Sequence, residues 1–232
     1  MANTANKEEK AEKLNIGESI VEVIQKNRKA LITGGIVVIV LLAGFIAGLS
    51  VKDAVTAQGI KKVEAFNDRY EELRFDINDP AKEEDVKTLL DEVSTYAAKA
   101  FGYAGVRAYM LTASIHADRK NWQDAESAWV QAAKKGGKTY LVPVALFNAA
   151  VAAEEGGNIG DAVDHYAEVL KYADSFPQAA KAQFAIGRLR EEQQDTEAAL
   201  EAYRTLVEKW PGETIWINLA NSRIIALSGL NS

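Results

Sequence analysis

Two histidines, His116 and His165, are the only imidazoles in this 232-residue chain, and it has no cysteine. A thiolate nucleophile, a disulfide, a thiolate metal site and an N-terminal lipid-modified cysteine are therefore all excluded. The histidines stand 49 residues apart with no cysteine to complete a zinc set, so no metal site is expected from them. His116 reads as a packed position and His165, beside Tyr166, as a solvated one. The acid pairs Glu154-Glu155 and Glu191-Glu192 read as solvated helix ends. Gly34-Gly35 lies in an apolar run rather than a phosphate-binding loop, and no Walker or Rossmann glycine pattern is present. No nucleophile–base pair can be assembled. The residue types point to binding rather than catalysis, with no cofactor, metal or small-molecule substrate.

Net charge is −6; residues 1–51 carry six Lys/Arg and five Asp/Glu, against 21 and 28 in the remainder. With no basic stripe to neutralise phosphates, broad nucleic-acid binding is not expected. An apolar fraction of 48% is ordinary for a globular chain and too low for a polytopic membrane protein.

The elements that would carry a binding surface announce themselves by repetition. Ala125/Trp129, Ala162/Tyr166 and Ala199/Tyr203 recur every 37 residues, and Met110, Phe147 and Phe184 recur at the same interval. A fixed period in the range of roughly 20–50 residues marks an array whose units cannot bury their apolar faces alone. Helical spacing predicts pairs at about 104–119 with 122–135, 141–155 with 159–172, and 178–193 with 196–209. A divergent first hairpin precedes them, from Lys52 to about Ile77 and then 82–100, broken at Asn78-Asp79-Pro80. A capping helix follows at 213–228. Gly136-Gly137, Gly156-Gly157 and Pro211-Gly212 supply helix stops.

Ahead of the array, residues 30–51 contain no formal charge. As a helix they would extend about 33 Å, enough for a ~30 Å hydrocarbon core. The long polar region before the run, its length and the lack of an A-x-A site favour a retained anchor over a cleaved signal. Lys26, Arg28 and Lys29 crowd its N-terminal end while Lys52 alone directly follows, which predicts an N-terminus inside and a C-terminal part outside. Residues 1–13 read as a disordered polar tail. Ile16, Ile20, Val23 and Ile24 fall on one helical face, either an amphipathic surface helix or an extension of the span. Gly44 and Gly48 form a G-x-x-x-G pair that could let another membrane helix approach.

The Ala-x3-aromatic pairs resemble the tetratricopeptide repeat over about residues 104–211. The third unit is the nearest match, with Gly187, Ala199, Tyr203 and Pro211; the first two place Ala113 and Ala150 where Gly187 sits. Two departures are the period of 37 and the absence of the usual tryptophan, with Tyr109, Leu146 and Gln183 in its place. The resemblance implies an all-α right-handed superhelix behind the single span, and a concave groove lined by the first helix of each pair. By that alignment the groove positions are Arg107, Met110, Ser114 and Ala117, then Val144, Phe147, Val151 and Glu154, then Lys181, Phe184, Arg188 and Glu191. Apolar residues flanked by Arg107, Lys181 and Arg188 would suit a peptide with an acidic or carboxylate feature. Phe147 and Phe184 would equally serve as core between repeats. Of the five-residue carboxylate clamp known in some such domains, only Asn148 and Lys181 match.

The layout of polar tail, the stretch Ile24–Leu31 opening a single span, and a divergent repeat array resembles the YfgM-like family. That resemblance implies a bacterial inner-membrane protein with periplasmic repeats, serving the Sec translocon and periplasmic chaperones. Partners would be translocon subunits, chaperones or secreted clients. A scaffold for a flagellar, division or outer-membrane biogenesis machine would fit the same sequence.

Overall fold

The computed structural model describes residue 21 and residues 24–229, helices joined by short turns and connecting residues. The polar tail 1–13 and the positions Ile16, Ile20 and Val23 lie outside the described residues. Two compact units divide the chain, Met1–Val55 and Thr56–Ser232.

Helix α1 runs from Arg28 to Leu73 without a break at the end of the uncharged run. Its Arg28–Phe45 stretch has a mean hydropathy of 1.9, making it long and apolar enough to cross a membrane. Every described side chain there is exposed, Leu31 at 53% and Phe45 at 65%.

Within the second unit, α1 ends in a 3-10 turn at Arg74–Asp76. Asp79 then adopts an extended conformation ahead of Pro80, and its carboxylate accepts from the Ala81 amide at 2.9 Å. Helix α2 (Glu83–Lys99) opens with Glu83, Glu84 and Asp85 and closes with Lys99, charges that complement the helix dipole. Three helix pairs follow: α3 (Gly102–Asp118) with α4 (Trp122–Gly136), α5 (Leu141–Glu155) with α6 (Ile159–Val169), and α7 (Ala179–Glu192) with α8 (Thr196–Lys209). Helix α9 (Thr214–Gly229) covers the last pair. Each packs mainly on its neighbours in sequence, as a linear array requires. The three predicted helix pairs and the capping helix form; the helix expected from Lys52 to about Ile77 is instead the end of α1, which stops at Leu73. The pair partner expected at 159–172 tightens into a 3-10 turn after Val169.

The recurring alanines work as their spacing implied. Ala125, Ala162 and Ala199 are fully buried, and Trp129, Tyr166 and Tyr203 fill the space beside them. Small residues at 113, 150 and 187 let the paired helices close on those rings. At Gly187 the fit is tightest: a Cβ there would lie 2.5 Å from the Tyr203 ring, so glycine is required.

Candidate protein-binding groove

The first helices α3, α5 and α7 present the sequence-predicted groove positions, and the structure sorts them into three groups. Arg107, Met110, Ser114, Ala117, Asn148 and Val151 line one cavity of about 520 Å³. Further lining comes from Val63, Tyr70 and Glu71 of α1, from Arg74 in the turn after it, from Asp118 of α3, and from Trp122 and Trp129 of α4. Phe147 belongs to the core instead. It is 6% exposed, edge-on to Tyr166 at 5.3 Å and tilted against Phe176 at 6.0 Å. Phe184 is half-buried between Tyr203 (5.4 Å) and Trp216 of the capping helix (5.5 Å). Val144 is half-buried against that same Phe147 cluster.

The cations are less available than their spacing suggests. Arg188 donates to Glu154 at 2.6 Å, so its charge is matched across the α5–α7 junction. Lys181 rests its ammonium 5.2 Å from the Phe147 ring centroid. Arg107 is exposed at the cavity rim, donating to the Tyr103 hydroxyl at 3.2 Å. The two clamp-like positions also turn to local partners, since Asn148 donates to its own helix at the Val144 carbonyl (2.8 Å). Ser114 does the same toward Met110 (3.0 Å).

The acid pairs are corrected by the structure. Glu155 and Glu192 are exposed, but Glu154 and Glu191 are half-buried and bound. The Tyr166 hydroxyl donates to Glu154 at 3.4 Å and the Tyr203 hydroxyl to Glu191 at 2.8 Å. Arg223 forms an ion pair with Glu191 from α9. That hydrogen bond from Arg223, with the one from Tyr203, holds the Glu191 carboxyl below its ordinary range. Burial, reinforced by the acids, pushes both tyrosines well above theirs. The signal was present in sequence as a glutamate twelve residues before each tyrosine, repeated at 37.

These Tyr–Glu–Arg clusters explain where the cavity lies. One repeat earlier the corresponding residues are Trp129, Ala117 and Val151, which carry neither acid nor base. The space that an ion pair fills at the α5–α7 junction is left as an apolar-floored hollow between α3 and α5. Its far rim is polar: the Tyr70 hydroxyl donates to Asp118, and Arg74 reaches the same carboxylate at 3.3 Å. A hollow of this size has room for more than one apolar side chain, with polar atoms at its edge.

His165 is not solvated. Its Nε2 lies 3.0 Å from Glu126 of α4, both side chains under one-fifth exposed. His116 is packed as expected, 3.9 Å from Asp124. No group of three or more metal-ligating side chains occurs among the described residues. In the first unit, nothing lies within 4 Å of where a Cβ on Gly44 would sit. Gly48 lies outside the described side chains.

The tetratricopeptide-repeat family model matches residues 94–139 and 147–214, which span α3 to α8 and their flanks. These segments are tetratricopeptide repeats. A TPR repeat-containing protein of Treponema pallidum (strain Nichols) is 36% identical over 127 residues. That match covers 55% of this chain and 52% of the relative, so the chain spans about half the length of the curated relative it matches. Among solved structures, the TPR-like repeats of a kinesin-light-chain-type protein of Podosopora anserina align with a TM-score of 0.49 at 13% identity, covering 70% of this chain and 87% of that one. BtubC from P. vanneervenii aligns with a TM-score of 0.41 at 14% identity, covering 68% and 62%. Tetratricopeptide repeats serve as protein-interaction modules, generally without catalysis of their own.

Proposed function

We propose that this chain is a non-catalytic protein-binding module held at the bacterial inner membrane by the apolar part of α1. Its repeat unit stands in the periplasm, as an accessory of the Sec translocon and its periplasmic chaperones. The observation that carries the binding role is the 520 Å³ cavity, whose lining includes five positions that the repeat alignment assigned to the groove, together with Asn148 of the clamp pattern. Support for the anchor is the exposed, apolar Arg28–Phe45 stretch. Support for the orientation is the cluster Lys26, Arg28 and Lys29 at its N-terminal end. The translocon assignment draws on the resemblance to the YfgM-like family.

The cavity's apolar floor and size suit bulky side chains of an extended or helical client segment. In-cell photocrosslinking from Met110, Ser114 and Val151, read by mass spectrometry, tests this. Translocon subunits together with varied secreted polypeptides are the expected products. One stoichiometric envelope component would instead favour a scaffold of a flagellar, division or outer-membrane machine. If Trp129-facing substitutions such as Val151→Glu left a folded protein with every crosslink retained, the groove would not be the binding site. Protease added to spheroplasts should remove the repeats and spare the N-terminal tail; protected repeats would invert the topology.

A further inference from the structure

Charge is sorted between two edges of the repeat unit. The turns inside the α5–α6 and α7–α8 pairs carry acids, Glu154, Glu155, Glu191, Glu192 and Asp195, while the α3–α4 turn sets Asp118 beside Arg119 and Lys120. At the α2–α3 and α4–α5 junctions the acids are absent, unlike the α6–α7 and α8–α9 junctions, which carry Asp174 and Glu213. Residues 93–117 and 127–153 contain no Asp or Glu, in a chain with a net charge of −6. The α2–α3 and α4–α5 loops, which lie in those acid-free stretches, come together at one edge. Lys135 donates to the Ala98 carbonyl at 3.3 Å, and Arg107 donates to the Tyr103 hydroxyl at 3.2 Å.

That edge is basic and aromatic at once. Lys99, Lys134 and Lys138 are exposed on it, and Phe101 and Tyr140 stand 91% and 71% exposed among them. A phenylalanine so exposed next to lysines gains nothing from water. Basic and aromatic side chains together are the chemistry of the bilayer interface, where rings enter the headgroup layer and ammonium groups meet lipid phosphates. Two residues of α1 within the repeat unit pack at this edge as well. The Gly59 carbonyl accepts from Tyr96 at 3.3 Å, and Lys62 sits 5.0 Å from the Tyr96 ring.

We propose that this loop edge docks on an anionic phospholipid surface, with Phe101 and Tyr140 in the headgroup layer and Lys99, Lys134 and Lys138 against the phosphates. The inference rests on the membrane anchor proposed above. Docking would fix the orientation of the groove relative to the bilayer, while the acidic turns face away from the like-charged surface.

The test uses the full chain in nanodiscs of phosphatidylcholine alone or enriched in phosphatidylglycerol, read by hydrogen exchange. Residues 99–103 and 134–140 should exchange several-fold more slowly in the anionic discs, and the turns at 118–121 and 155–158 equally in both. Adding salt should abolish the difference, because screening shortens the reach of exposed charges. Lys134→Glu with Lys138→Glu should abolish it too, with unchanged circular dichroism; Lys134→Gln with Lys138→Gln should reduce it partway. Equal exchange in both disc types would overturn the docking while leaving the anchor standing. Protection in neutral and anionic discs alike would overturn the electrostatic part and leave a contact made by the aromatics alone. A chain that fails to enter either disc would overturn the anchor, and the docking with it. Protection produced by an acidic polypeptide or RNA but not by anionic discs would assign the edge to that partner instead.

Discussion

His116 shows how far one side chain's chemistry depends on its seat. Its Nδ1 is buried without a hydrogen-bond partner, and the nearest acid, Asp124, is 3.9 Å away. Burial is the main cause holding its pKa below the ordinary value; Arg119 adds to the effect and Asp124 opposes it. The imidazole is thus neutral in the folded protein at pH values where the unfolded chain already binds a proton. Stability from this residue is complete above the unfolded pKa of about 6.5 and is lost as pH falls from there toward the lower folded value. Thermal melts between about pH 7.5 and 5.5 should therefore show a steeper loss for the native chain than for His116→Gln. Identical pH slopes would show that the histidine titrates alike in both states. His165 offers the contrast, since it meets Glu126 at 3.0 Å across the α4–α6 contact. Sequence placed His116 inside correctly and put His165 in solvent, because a partner 39 residues distant leaves no local trace.

The turns inside the three helix pairs are one structure written with three sequences. Lys120, Gly157 and Gln194 occupy the same repeat position and all adopt positive φ, at 59°, 77° and 61°. The following amide closes each helix in the same way, Asn121 to His116 (2.8 Å), Asn158 to Ala153 (2.8 Å) and Asp195 to Arg190 (2.9 Å). The residue supplying that amide then starts the next helix: Asn158 caps Asp161 and Asp195 caps Ala198. Glycine takes the left-handed conformation freely, while a residue with a Cβ is strained there. Lys120→Gly and Gln194→Gly should each stabilise by up to about 1 kcal/mol, and Gly157→Ala should cost a similar amount. Urea midpoints of the three variants check this; a loss of stability in the first two would mean that their side chains contribute contacts outweighing the strain. Only the Gly156-Gly157 turn was legible as a glycine stop. The other two were marked instead by Asn121 and Asp195 at the repeat interval, a capping signal weaker than glycine.

At the scale of the whole repeat unit, the period was legible because packing demands it: an alanine and an aromatic must recur wherever two helices close on each other. The lining positions of the cavity were legible from the repeat, but not that a hollow opens there, because an apolar residue at 117 or 151 gives no sign that its counterparts elsewhere hold an ion pair. The same linear construction makes a further outcome measurable. The buried core falls into separate clusters, with Val86, Leu89 and Val93 in the first and Tyr203, Leu206 and Leu227 in the last. Tyr203 is fully buried, bonded to Glu191 and tilted against Phe184. Tyr203→Ala removes that ring and should cost roughly 3–5 kcal/mol locally. In a nearest-neighbour array the loss need not reach the far end. Amides of α7, α8 and α9 should exchange on the order of a hundredfold faster in the variant or more, while those of α2 and α3 keep most of their protection. Acceleration spread evenly from α2 to α9 would show that the unit unfolds as one cooperative block. A local cost under about 1 kcal/mol would contradict the role of this aromatic as a buried anchor of its repeat.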